Sequence, residues 1–319
     1  MTIPTTPVTV ITKIPVIDFS NEDCLKPGTS SWLSVRKEVC YALEELGCFS
    51  AILPETLASS GLRNTMFGAA NELFDSPIEI KTQTNSESRK GLFGYFKGNS
   101  AHENLGIWNP SNPEETSKFT KLFWPNGNDQ FRDGVALYTK LMEDLDQAVT
   151  RMVFENYGVD QYHEDHIRSS LYALRYNKYL DPKKAREDVG LRSHTDKNFT
   201  SILHQNVNGL EVNTKEGEWI GYDPHPLSSS FLFIASDVFQ AWSNDRIRAC
   251  RHRVTLSHIK EDGVRYSLGL FSLKQGITHI PKELVDDEHP LRYKPFDQIE
   301  YIQAQAAGVE CTLKEFSGI

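Results

Sequence analysis

The chain has 319 residues, 39% hydrophobic and 24% charged, with 34 Lys and Arg against 43 Asp and Glu for a net charge of -9. That length can bury a large core. The acidic balance, with no basic run, argues against a nucleic-acid partner, and no apolar run is long enough for a membrane-spanning helix. The five cysteines, Cys24, Cys40, Cys48, Cys250 and Cys311, are scattered and odd in number. They point away from a disulfide framework and toward a reducing compartment, the cytoplasm and also the nucleus. The opening MTIPTTPVTVITKIPVIDFS is broken by prolines and Lys13 and has no signal-peptide core.

In chain order, IPVIDFS reads as a short strand. In SSWLSVRKEVCYALEELG the apolar residues Trp32, Val35, Val39, Ala42, Leu43 and Leu46 keep helical spacing, and Gly47 supplies a C-terminal stop. A second helix is predicted over ETLASSGLRNTMFGAANELF, ending before Pro77. Residues 90–127 are rich in aromatics but lack periodicity, and we expect an irregular lid or binding surface there. After Asn128, the residues Phe131, Val135, Tyr138, Met142, Leu145, Val149 and Met152 form one apolar stripe of a long helix that stops near Gly158.

From about residue 169 the texture changes. SLYALRYNKYL, FTSILHQ, GLEVNT, EWIGY, SSFLFIAS, RHRVTLSHI and RYSLGLFSL are short strand-like runs, some separated by glycine turns, a pattern of a sandwich or barrel. KPFDQIEYIQAQAAG reads as a closing helix. The expected division is a mainly helical region over 1–165, with opening strands and the aromatic segment, and a strand-rich domain over 166–319.

Alternation sorts the strand residues by face. On RYSLGLFSL, Arg265, Ser267 and Phe271 share one side, and on LYALRYNKYL so do Arg175, Asn177 and Tyr179. A buried guanidinium demands an anion, supplied by the protein or by a ligand. Two such polar faces suggest a pocket for something small. In RSHTDKNFT, His194 and Asp196 stand two apart, and His252 follows 56 residues after Asp196 on another strand candidate. Two histidines and one carboxylate are the facial triad of non-haem Fe(II) oxygenases, which leaves coordination positions open. A fully ligated structural zinc would not.

The ordered set HTD, HRV, RYS is similar to the plant-type 2-oxoglutarate- and Fe(II)-dependent dioxygenases. LEELGCFSA, LFDSPIEIK, NKYL, NGLEV with GEWI, and AWSNDRIRACRHRV resemble further family segments in the same order. The texture, with LKPGTSSW near the start, is most like the AOP and steroidal-alkaloid-hydroxylase branch. There are departures: LDPKK follows Asn-x-Tyr, Ser236-Asp237 precedes AWSN, and ILPET follows the early strand. None falls on a proposed ligand.

The resemblance implies an α+β fold with a double-stranded β-helix, or jelly roll, flanked by N-terminal helices and a C-terminal helix. It implies Fe(II) held by His194, Asp196 and His252. It implies 2-oxoglutarate held by Arg265, Ser267 and Tyr179, with Asn177 helping to position it. O2 would be consumed, succinate and CO2 released, and a small specialised metabolite hydroxylated, demethylated or desaturated by a monomer without nucleic-acid or membrane partners. Phe271, Arg175, Thr195, Phe93, Tyr95, Phe119, Phe123 and His204 are candidate substrate contacts. The competing readings are an Fe(II) oxidase on the same fold that needs no 2-oxoglutarate, and a non-catalytic small-molecule-binding barrel.

Overall fold

The computed structural model describes residues 11–85, 93–98, 101–185, 188–309 and 311–319. Strand β1 (Val16–Asp18), helix α1 (Ser30–Glu45), strand β2 (Cys48–Ile52) and helices α2 (Ser60–Asp75) and α3 (Ile78–Lys81) open the chain. Strands β3 (Phe96–Lys97) and β4 (His102–Trp108) follow, then helices α4 (Pro113–Phe123), α5 (Asp129–Asn156) and α6 (His163–Ser169). The second half holds β5 (Ser170–Leu180), the short α7 (Pro182–Ala185), β6 (Val189–His194), β7 (Thr200–Gln205), β8 (Leu210–Asn213) and β9 (Trp219–Gly221). It continues with β10 (Ser230–Ala235), α8 (Asp237–Trp242), β11 (His252–Thr255), β12 (Val264–Lys274), β13 (Ile277–Thr278), β14 (Phe296–Asp297), α9 (Gln298–Ala306) and α10 (Leu313–Ser317).

The major sheet runs β1-β2-β10-β7-β12-β5-β4-β3 and the minor sheet β6-β11-β8-β9. This is the jelly roll expected from the sequence. Strands from before residue 165 and after it share the major sheet, so the sheet runs across that division.

Helix α5 forms because its start is capped and one side is apolar. The Asn128 Oδ1 accepts the Phe131 N–H at 2.9 Å. All seven residues of the predicted stripe, from Phe131 to Met152, are buried. Each contributes roughly 2 kcal/mol by leaving water. With α1 and α2, this helix covers the outer face of the major sheet, where Leu105, Ile107, Leu174, Tyr176, Ile202, Phe231, Phe233, Leu268 and Leu270 form the main core. The inner face is left to meet the minor sheet.

Two expectations are corrected. Within 90–127 the structure has a seven-residue inner strand, β4, and an eleven-residue helix, α4. Strand β4 alternates Leu105 and Ile107 outward with His102, Asn104 and Gly106 inward, so only half of its pattern is apolar and it escapes a reading for hydrophobic runs. Helix α4 is announced only by Asn112, whose Oδ1 accepts the Glu114 N–H at 2.9 Å, and by Pro113 in its first turn. Strand β11 stops at Thr255 rather than running on to Ile259.

Candidate active site

The triad sits where the minor sheet meets a loop. His194 ends β6 and His252 opens β11, and the two are direct partners across that antiparallel pair. Asp196 follows β6 by two residues. The ring centroids of His194 and His252 are 4.3 Å apart. One ligating atom from each of the three residues lies within 4.8 Å of the others. The Asp196 Oδ1 is 3.4 Å from the His194 Nε2 and 4.0 Å from the His252 Nε2.

The other ring nitrogens are spoken for. His194 Nδ1–H donates to the Arg192 carbonyl at 2.8 Å, and His252 Nδ1–H to the Cys250 carbonyl at 3.2 Å. A carbonyl only accepts, so the proton is on Nδ1 and each Nε2 keeps a lone pair for a cation. The Ser201 Oγ–H donates to the Asp196 Oδ2 at 2.6 Å and turns Oδ1 toward the histidines. Burial pushes the Asp196 carboxyl up, but His252, His194 and Ser201 outweigh it and hold it well below the usual carboxylate range. Burial, helped by His194, lowers His252 to about 4, so it is neutral at pH 7. Burial lowers the proton affinity of His194, but Asp196 outweighs it and raises it above the ordinary value, so a cation at this site would compete with that proton. Two imidazoles and one carboxylate, with nothing softer, fit Fe(II).

The floor is built by register. Across β4, β5, β12 and β7 the row Asn104–Asn177–Ser267–Gln205 lies beside the row His102–Tyr179–Arg265. Arg265 is 1% exposed. Its Nε–H donates to the Val207 carbonyl at 3.0 Å and its Nη2 to the Gln205 Oε1 at 2.6 Å. Its Cζ lies 5.0 Å from the Tyr179 ring centroid. Its Nη1 has no hydrogen-bond partner, and no carboxylate pairs with it, among the described residues. A buried guanidinium with a spare donor edge is suited to a carboxylate ligand such as the distal end of 2-oxoglutarate.

The next row is Gly106–Arg175–Gly269. The glycines make room: a Cβ on Gly106 would meet the Phe93 ring at 2.5 Å, and one on Gly269 would meet the Phe271 ring at 2.8 Å. Those rings flank the Arg175 guanidinium at 4.9 and 5.3 Å.

Triad, Arg265 row and Arg175 row line a single cavity of about 400 Å³, closed on one side by Ile302, Gln305 and Ala306 of α9. Asn177, Tyr179, Ser267, Phe93, Thr195 and Phe271 also line it. A larger groove of about 820 Å³ lies on the helical side against α1, α5 and α6, but it holds no comparable set of ligating atoms among the described residues.

Four candidates stand elsewhere. Strand β7 sends Ser201, Leu203 and Gln205 inward, so His204 points outward, packed against Phe67, Tyr138 and Phe231. Both of its nitrogens are satisfied, by the Tyr138 hydroxyl and the Leu227 carbonyl, each at 2.9 Å. Tyr95 donates to the Glu103 Oε2 at 2.7 Å. Phe119 and Phe123 stack with each other and pack into the helical core. The sequence reading missed His102, Gln205 and Ser201. The parity of HxNxG in β4, and of Ser201 and Gln205 in FTSILHQ, was the signal available for them.

Comparison with known proteins agrees with this geometry. The model of the 2OG-Fe(II) oxygenase superfamily matches residues 168–274. The probable 2-oxoglutarate-dependent dioxygenase AOP1.2 of Arabidopsis thaliana is 39% identical over 305 residues, 93% of this chain and 92% of that protein. The dioxygenase for auxin oxidation in rice superimposes with a TM-score of 0.76 at 27% identity, covering 96% of this chain and 100% of that one. Its Arabidopsis thaliana counterpart, solved with 2-oxoglutarate, gives 0.73 at 27%, covering 87% and 99%. Among the described residues no helix is long and apolar enough to cross a membrane. The chain therefore belongs to the 2-oxoglutarate-dependent dioxygenases, Fe(II) enzymes that oxidise their substrates with O2 and release succinate and CO2.

Proposed function

We propose that His194, Asp196 and His252 hold the Fe(II) of this enzyme, that Arg265, Ser267 and Tyr179 bind the distal carboxylate of 2-oxoglutarate, and that Asn177 helps to position it. The observation that carries this reading is the buried Arg265, whose Nη1 has no partner among the described residues, on the wall of the cavity that the triad lines. When bound, the iron supplies the redox chemistry that couples 2-oxoglutarate decarboxylation to substrate oxidation. The chain's own part is to hold and shield. Ser201 and the Arg192 and Cys250 carbonyls fix the ligands' orientation, and both sheets and α9 line the cavity.

The substrate on this reading is a small specialised metabolite, hydroxylated, demethylated or desaturated at the atom nearest the triad. Its compartment is the side of the cavity lined by Phe93, Arg175, Thr195 and Phe271. Two aromatic rings lie close to the Arg175 guanidinium, an arrangement that suits a substrate with an acidic or carbonyl oxygen beside an aromatic body. The auxin-oxidising relatives support a substrate of that size. On this reading the working unit is a single chain in the cytosol, and cysteines free of disulfides support that compartment.

The test is a panel of small aromatic acids and their amides, scored for succinate released by the iron-loaded enzyme under O2. We expect acids to stimulate succinate release and Arg175→Leu to remove their advantage over the amides. Product formed with zero succinate would instead support an oxidase that needs no cosubstrate.

A further inference from the structure

His102 is one of several polar residues on the cavity wall that the proposed reaction does not use. His102, on β4, is 7% exposed and lies beside Tyr179 in the pairing of β4 with β5. Its imidazole stacks flat on the Tyr179 ring, with centroids 4.6 Å apart and an interplanar angle of 11°. Its Nε2 is 3.1 Å from the Asn177 Oδ1. An amide oxygen only accepts, so Nε2 carries a proton. Burial and the nearby cations lower the affinity of the ring for a second proton, although Asn177 opposes this, so the ring is a neutral Nε2–H tautomer. On its far side the ring is boxed in by Gly98, where an added Cβ would approach Nδ1 to 3.3 Å.

We propose that His102 is a positioning residue for 2-oxoglutarate, which acts by fixing the Asn177 amide and the Tyr179 ring. With its Oδ1 engaged by His102, Asn177 has only its N–H2 group to offer to the cavity, and an acidic cosubstrate needs a donor there. Without His102 the amide is free to turn over, and half of its orientations present a carbonyl oxygen to a carboxylate. The stack does the same for Tyr179, whose ring is held between the imidazole and the Arg265 guanidinium. His102 thus joins β4, an inner strand of the major sheet, to the proposed anion site. The inference rests on the reading that the cosubstrate lies against the Arg265 row.

The experiment is anaerobic calorimetry of 2-oxoglutarate binding to the Fe(II)-loaded protein, with Fe(II) affinity and the KM of each substrate measured alongside. His102→Phe keeps the stack and removes the donor. It is expected to weaken 2-oxoglutarate binding about fivefold, the effect of one neutral hydrogen bond, with Fe(II) affinity and the prime-substrate KM unchanged. His102→Gln, which restores a donor, is expected to recover most of the loss. In an Asn177→Ala background, His102→Phe is expected to add little. Unchanged binding in His102→Phe would overturn the proposal, as would equal losses of Fe(II) and 2-oxoglutarate binding in both variants, or full additivity with Asn177→Ala. Arg265→Leu run in parallel separates the levels. If it leaves binding intact, the cosubstrate pose fails and the inference with it. If it weakens binding while His102→Phe does not, the inference alone fails.

Discussion

The two faces of the major sheet are made from the same strands, yet they treat buried polar groups in opposite ways. On the helix-covered face Asp146 accepts from the Tyr172 hydroxyl at 2.9 Å and from the Thr200 hydroxyl, and burial raises it to about 6. Across the cavity, on the loop after β6, Asp196 is less buried and is held below the usual range by two imidazoles and a serine. His204, outside, has both nitrogens bonded, whereas among the described residues His194 and His252 each keep an Nε2 with no partner but Asp196. Closed networks hold a fold together; open donors and lone pairs on a rigid wall are an invitation to ligands. Burial alone does not mark a functional group here. What marks it is leftover valence gathered around one cavity, since single unpartnered atoms such as the Tyr176 hydroxyl also occur on the helix-covered side.

That contrast can be broken in several places. The largest effect is expected for His252→Ala, which leaves two protein ligands: Fe(II) binding and turnover should be abolished while the fold, read by circular dichroism, is retained. Arg265→Leu should weaken 2-oxoglutarate binding on the order of 100-fold, because it removes a buried charge from its anion. Titrating succinate formation against 2-oxoglutarate measures it, and an unchanged requirement would move the anion site elsewhere.

Asp146 gives a pH signature on the outer face. Its folded value, about 6, lies above the ordinary 3.8, so the folded state holds the proton more tightly and stability falls as pH rises through that window. Denaturant unfolding of the parent should lose roughly 2 to 3 kcal/mol from this group between about pH 4 and 6. Asp146→Asn should flatten that slope. Ser201→Ala frees the Asp196 Oδ2 and should weaken Fe(II) binding by about tenfold, the scale of such supporting bonds, without changing the 2-oxoglutarate requirement. The smallest effect is expected for Tyr138→Phe, which leaves the His204 Nδ1 unpaired. About 1 to 2 kcal/mol of stability should go, with kcat unchanged. A kcat loss larger than the stability loss explains would blur the division between the faces.

Much of this division is legible in the sequence because a strand's side chains alternate. Once Arg265 and Ser267 are put on one face of RYSLGLFSL, and Arg175, Asn177 and Tyr179 on one face of LYALRYNKYL, the antiparallel register brings the two sets together. The long α5 stripe is equally plain, since seven apolar residues keep one helical face. Strand β4 is not legible in the same way. It has one polar and one apolar side, lies in an aromatic-rich stretch, and is recognisable only by its pairing with β5, which is non-local. His102 goes unnoticed for that reason. His204 fails differently: a histidine eight residues after Asp196 looks like a pocket group, and only the parity of β7, set by Ser201 facing Asp196, turns it outward. Phe93 and Phe119 are both buried aromatics of one segment, and nothing local says that only Phe93 reaches the triad's cavity.

The most direct test of the account is a crystal structure of the protein with Fe(II) and 2-oxoglutarate, grown without O2. The account predicts iron bound by the Nε2 atoms of His194 and His252 and by the Asp196 Oδ1, and a cosubstrate carboxylate on the Arg265 Nη1 and the Ser267 hydroxyl. Iron bound elsewhere, or the distal carboxylate seated on Arg175 between Phe93 and Phe271, would contradict it.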